Sequence, residues 1–238
     1  MKLSPLNPAL KEKRTIQTGT VKNTPLWPAS VLKPANSNTK LSKSGNLVKI
    51  GPFKDYYCVS LTLEERKTCP SSCHHWADCY GNGMYRAQRF KHGKELNEKI
   101  ENELKELCAK YPGVLVRLHI LGDFYHTEYI SFWANQLAAH LNLAIFGYSA
   151  RIEGVLHRQL CAVKSVYGNR FSIRFSTDKN SRVLNSYVGH DVEHYARSED
   201  YNGKDCFVCP EQTGKVADCL SCGICFSNSK KAVKFLNH

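Results

Sequence analysis

Along the middle of the chain, apolar positions follow two alternating periods. From Lys94 to Lys110, Leu96, Ile100, Leu104 and Leu107 recur at helical spacing on a charged background, and Pro112 and Gly113 end the run. Residues 127–141 repeat the pattern with Ile130, Trp133 and Leu137 on one face and Thr127 as the expected cap. Ile152 to Lys164 predicts a third helix. Between these lie short runs rich in β-branched and aromatic residues: Tyr56 to Leu63 (YYCVSLTL), Val114 to Leu121 (VLVRLHIL), Leu143 to Ser149 (LAIFGYS) and Phe171 to Ser176 (FSIRFS). Strands separated by single helices predict an α/β fold with a parallel βα sheet, either open or curled into a reduced or irregular (βα) barrel. The chain left after setting its two ends aside is too short for a typical eight-unit barrel of ~250 residues.

Those ends read differently. Residues 1–45 predict a basic, extended N-terminal arm, because Pro5, Pro8, Pro25, Pro28 and Pro34 interrupt any helix. Leu26 and Trp27 are its expected anchors. Residues 46–200 form the expected βα catalytic body, and 201–238 a cysteine-rich, metal-binding tail packed on it. Charge sharpens this division. The chain carries a formal net charge of +12. Its first 55 residues hold ten of the basic side chains (Lys2, Lys11, Lys13, Arg14, Lys22, Lys33, Lys40, Lys43, Lys49, Lys54) against Glu12 and Asp55. Such an arm favours a polyanion, because each phosphate neutralised releases counterions. DNA is the expected partner, with RNA as the alternative. No run approaches the ~18 apolar residues that span a membrane, and no apolar leader precedes the arm, so a cytoplasmic location is expected.

Eleven cysteines in a reducing compartment point to metal rather than disulfides. Cys206-Phe-Val-Cys209 and Cys219-Leu-Ser-Cys222-Gly-Ile-Cys225 offer five thiols within twenty residues. A Cys-x-x-Cys pair converges two thiolates on one cation, and a second pair completes a tetrahedron. Cys209, Cys219, Cys222 and Cys225 are the expected zinc ligands, with Cys206 able to replace one; iron–sulfur ligation is the alternative. A second group, Cys69, Cys73 and Cys79, follows the first strand in the segment CPSSCHHWADCYG and suits a metal or a [4Fe-4S] cluster, with His74 or His75 as a fourth ligand. Cys58, Cys108 and Cys161 lie inside expected elements and read as core.

In parallel βα sheets, chemistry gathers where strands end. Three strand ends look alike: LGDF at 121–124, SAR at 149–151 and STD at 176–178. Asp123 is the leading candidate for nucleophile or general base, with Gly122 letting substrate approach the backbone and Asp178 as partner; either aspartate has helix or turn capping as its structural alternative. Arg117, Arg151 and Arg174 are candidate phosphate grips. Tyr125, with Tyr80, Tyr85 and Tyr148, is a candidate for stacking on a base. His119 reads as a core histidine.

The order of these segments, CPSSCHHWADCYG, VRLHILGDF, YSAR and CPEQTGKVADCLSCGICF, resembles a bacteriophage-encoded family of small cysteine-rich proteins over residues 50–228. Two enzyme families supply candidate chemistry. The βα body, the GDF aspartate, the C-terminal cysteines and the basic charge resemble tRNA-guanine transglycosylases and their DNA-acting relatives, although the zinc spacing differs. That resemblance implies exchange of guanine in DNA for a 7-deazapurine base, shielding viral DNA from restriction, with an aspartate attacking the anomeric carbon and structural zinc. The motif order also resembles radical S-adenosylmethionine enzymes, with Cys-x3-Cys-x5-Cys here where they carry Cys-x3-Cys-x2-Cys. Base exchange by Asp123 and Asp178 is the first expectation. An iron–sulfur enzyme acting on nucleic acid is the second, and a zinc-dependent binder without catalysis the third.

Overall fold

The computed structural model describes residues 21–22, 30–73, 79, 81, 84, 87–177, 193–196, 206–227 and 232–235. Its strands are β1 (Val21–Lys22), β2 (Lys33–Pro34), β3 (Tyr57–Ser60), β4 (Arg89–Phe90), β5 (Val114–Leu118), β6 (Leu143–Ser149), β7 (Phe171–Thr177), β8 (Glu193–Ala196), β9 (Cys206–Val208) and β10 (Ala232–Phe235). Its α-helices are α1 (Glu65–Thr68), α2 (Lys94–Lys110), α3 (Thr127–Ala139), α4 (Gly154–Tyr167) and α5 (Cys219–Cys222). Eight strands share one sheet in the order β2-β3-β5-β6-β7-β8-β10-β9. Among the described strand pairs of this sheet only β2–β3 is antiparallel. The α/β class and parallel sheet are as expected. Among the described residues β2 and β9 end the order with no pairing between them, so the sheet is open there rather than a closed barrel. No described helix is long and apolar enough to cross a membrane.

Strands β3, β5, β6 and β7 are buried on both faces. Val59, Val116, Ile145 and Ile173 point to one side, against Leu96, Ile100 and Leu104 of α2, Ile130 and Trp133 of α3, and Leu160 of α4. Their sequence neighbours Cys58, Leu115, Ala144 and Phe146 point to the other, where Ala35, Leu41, Val48, Phe53, Leu220 and Phe226 cover them. This explains the lack of clean alternation in VLVRLHIL: a strand with two dry faces has no solvent side to mark. Of residues 201–238, Leu220 and Phe226 pack on this face of the sheet. Backbone bonds fasten this segment, with Cys219 N–H to Lys40 O at 3.1 Å and Leu220 N–H to Leu41 O at 3.2 Å.

Part of the expected arm is built into this core. Val31 is fully buried, Leu32 and Leu41 nearly so, and β2 extends the sheet. The Glu103 carboxylate of α2 accepts from Val31 N at 2.9 Å, Leu32 N at 2.9 Å and Ser30 Oγ at 2.7 Å. The arm boundary at residue 45 therefore needs correcting: residues 30–45 belong to the body, while residues 1–20 and 23–29, with Leu26 and Trp27, lie outside the described residues. Deleting residues 1–45 is expected to abolish cooperative unfolding in urea, because it opens both cores and leaves Glu103 buried without its donors. A sharp transition with an unchanged midpoint would show that residues 30–45 are dispensable.

Candidate active site

Three of the expected chemical segments meet at the C-terminal ends of β3, β5 and β6. After β5 the chain turns at Gly122, whose φ of +97° places it in the left-handed region where glycine is favoured. A Cβ there would lie 2.6 Å from Leu63 Cβ and 2.8 Å from Thr68 Oγ1. A close approach at Gly122 is made by the chain itself, through Leu63 and Thr68. It brings α1 and the start of the cysteine loop onto the strand end. Thr68 joins them: its Oγ1 accepts from Asp123 N at 3.3 Å, and its carbonyl accepts from Arg151 Nη2 at 2.8 Å.

Asp123 is 2% exposed and both carboxylate oxygens are engaged. Oδ1 accepts from Ser149 Oγ at 2.7 Å and from Phe124 N at 2.7 Å, while Oδ2 accepts from Ala150 N at 2.8 Å. Burial raises its pKa to about 6, against the opposing pull of the Ser149 bond, the Arg151 charge and the two backbone donors. Asp123 does not cap α3. His126 is the N-cap, its ring accepting from Glu128 N, and Thr127, the expected cap, is the first helical residue. Arg151 bridges the segments from the SAR end, with Nε donating to Phe124 O at 2.8 Å and its own N–H to Ser149 Oγ at 3.1 Å.

The cysteine loop lies against this network. Burial pushes the Cys69 thiol well above the usual range, and the Asp123 carboxylate, Cys73 and Cys79 push it further in the same direction. Gly81 N–H donates to Cys79 Sγ at 3.3 Å, and Arg66 pulls against the burial that raises the Cys79 thiol. Cys69, Cys73 and Cys79 are each half-buried. His74, His75, Tyr80 and Tyr85 lie outside the described residues, as does Asp178, the expected partner of Asp123.

The other candidates sit elsewhere. Arg174 is 1% exposed on the tail side of the sheet, with Nη2 donating to Ile224 O at 2.6 Å and Nε to Cys225 O at 3.3 Å. Arg117 lies over the rings of Phe146 and Tyr148 and donates to Leu118 O at 2.7 Å. Of these two candidate phosphate grips, Arg174 thus spends donors on tail carbonyls, whereas Arg117 packs on rings of the neighbouring strand β6. Tyr125 stacks on Tyr129, with centroids 4.5 Å apart. His119 is a core histidine, 4% exposed, its pKa lowered to about 3 by burial and by Arg117, with Nε2 2.9 Å from Tyr129 Oη.

In the tail, Cys209, Cys219, Cys222 and Cys225 stand within one another's electrostatic reach. Burial raises Cys219 and Cys222, and Cys225 and Cys209 raise both further. Tyr148 Oη donates to Cys225 Sγ at 2.6 Å. For Cys206 only the backbone, in β9, is described. Among the described residues no three His, Cys, Asp or Glu side chains are arranged as a ready-made metal-holding group. Thr68, Glu65 and Arg89 carried no sequence signal; their importance arises from contacts between distant segments. Comparison with protein families, curated proteins and solved structures finds no match for this chain.

Proposed function

We propose that this chain is an iron–sulfur enzyme that modifies nucleic acid, with Cys69, Cys73 and Cys79 holding the cluster. The supporting observation is the Thr68 junction, which ties the start of the three-cysteine loop to the LGDF and SAR strand ends. The donor set fits such a group. Three thiols share one electrostatic neighbourhood, and a backbone N–H is directed at the Cys79 sulfur, the kind of bond that tunes thiolate-held iron. Such a cluster supplies single electrons to a co-substrate bound beside it.

The chain's own groups do the holding. Arg151 and Thr68 keep the cysteine loop against the strand ends, and Asp123 locks the end of β5 to the end of β6 through Ser149 and Ala150. Base exchange asks Asp123 to offer an oxygen to a sugar carbon. Both oxygens already accept hydrogen bonds and the residue is 2% exposed, so the geometry favours the iron–sulfur reading. Nucleic acid as substrate rests on the net charge of +12. In the tail, Cys209, Cys219, Cys222 and Cys225 would hold zinc as a structural centre, the Tyr148 hydroxyl suiting a thiolate at Cys225.

Purified without oxygen and reconstituted with ferrous iron and sulfide, the wild type is expected to be brown, with broad visible absorption that bleaches on reduction. Cys69→Ser is expected to lose this absorption while keeping any zinc in the tail. A wild type that takes up no iron or sulfide under these conditions would overturn the proposal.

A further inference from the structure

The cysteine loop rests on an ion pair that the proposed function does not use. Glu65 opens α1, and Cys69 N–H donates to its carbonyl at 2.9 Å. Arg89 lies in β4, beyond the loop, with its side chain fully buried. Its Nε donates to Glu65 Oε2 at 2.7 Å and its Nη2 to Glu65 Oε1 at 2.9 Å. The remaining donors reach loop carbonyls: Nη2 to Gly81 O at 3.3 Å, and Nη1 to Met84 O at 3.0 Å and Ala87 O at 2.8 Å. All five guanidinium N–H groups are thereby satisfied. Gly81 then donates its own N–H to Cys79 Sγ.

We propose that Glu65 and Arg89 are a positioning pair that sets the placement of Cys79 relative to Cys69, and through it the metal centre the loop accepts. The inference rests on the iron–sulfur reading. One carboxylate sits on the turn that carries Cys69, and one guanidinium holds the segment that carries Cys79. A rigid planar fork transmits direction as well as charge, which a lysine ammonium does not. Stability alone is a poor reason for such a pair, because apolar residues of similar volume usually do as well in a buried position. The fit is close: a Cβ on Gly81 would stand 2.9 Å from Glu65 Oε1 and 3.4 Å from Cys79 Sγ.

The test is the double variant Glu65→Met/Arg89→Met, which removes both charges together and is expected to fold. Two properties are measured against wild type. The first is affinity for ferrous iron with sulfide, expected to fall on the order of tenfold or more, as when groups supporting metal ligands are removed. The second, in metal-free protein, is the rate of diamide-driven Cys69–Cys79 disulfide formation, located by peptide mapping and expected to change. Unchanged iron affinity and unchanged cross-linking in a folded double variant overturn the inference. If wild type takes up no iron, the proposed function falls, and the cross-linking rate alone decides whether the pair positions the thiols. Should the double variant not fold, Arg89→Lys, which keeps the charge and loses the fork, is read by the same two measurements.

Discussion

Cys222→Ser is expected to yield less folded protein and to retain less zinc than wild type. Cys222 ends α5, the short helix whose N-cap Asp218 accepts from Ser221 N at 2.9 Å and from Lys43 N at 3.0 Å. That helix carries Leu220 into the core on the tail side of the sheet, beside Phe226 and Phe146. Among the described residues of this region the regular elements are short, so a bound ion would do much of the ordering. In small zinc modules a tetrathiolate contributes on the order of 10 kcal/mol to folding. On the proposed zinc reading, loss of the Cys222 thiolate would remove much of this and leave Cys209, Cys219 and Cys225 as ligands. Metal content per chain and the thermal midpoint, with and without a strong chelator, give the answer. A wild type that holds no zinc and whose midpoint ignores the chelator would show that the tail thiols serve as core residues.

Asp123 substitutions carry the second large effect, and its sign depends on pH. An unfolded aspartate titrates near ~3.9, whereas burial raises Asp123 to about 6. Between those values the folded chain holds a proton that the unfolded chain has released. Wild-type stability from this group therefore declines as pH rises from about 4 to about 6, by about 3 kcal/mol in all. Asp123→Asn has nothing to ionise. If its amide oxygen takes the place of Oδ1, its amide nitrogen faces the Ala150 N–H, donor against donor, at a cost of about 1–3 kcal/mol. The variant is expected to be the less stable protein near pH 4, with the gap narrowing through pH 6. Urea unfolding at a series of pH values measures this, and a gap independent of pH would mean that Asp123 ionises as it does in water. Asp123→Ala is expected to be more damaging, because Ser149 Oγ, Phe124 N and Ala150 N all lose their acceptor.

The local elements were legible in the sequence because their causes are local. Helix α2 spans Lys94–Lys110 as its apolar spacing predicts, and β6 matches LAIFGYS residue for residue. The loop chemistry was legible by type and position: LGDF and SAR mark strand ends as expected, Asp178 of the third strand end lies outside the described residues, and the structure brings the start of the cysteine loop to the first two. The fates of the arginines were not. Arg117, Arg151 and Arg174 look equivalent along the chain, yet of the three only Arg151 reaches the Asp123 network, while Arg174 meets the tail and Arg117 packs on Tyr148 of β6.

That difference depends on which strand face each side chain occupies and on what folds back to cover it. No local pattern encodes either property when both faces are dry. The same holds for the Glu65–Arg89 pair, whose partners lie twenty-four residues apart. It holds again for residues 30–45, which read as a polar arm until Glu103, more than seventy residues away, accepts their backbone donors. By itself the sequence determined the α/β class, the individual helices and strands, and the kinds of chemistry on offer. Only the tertiary structure decided which groups share a site, because that choice is made by long-range packing and by the need to satisfy buried polar groups.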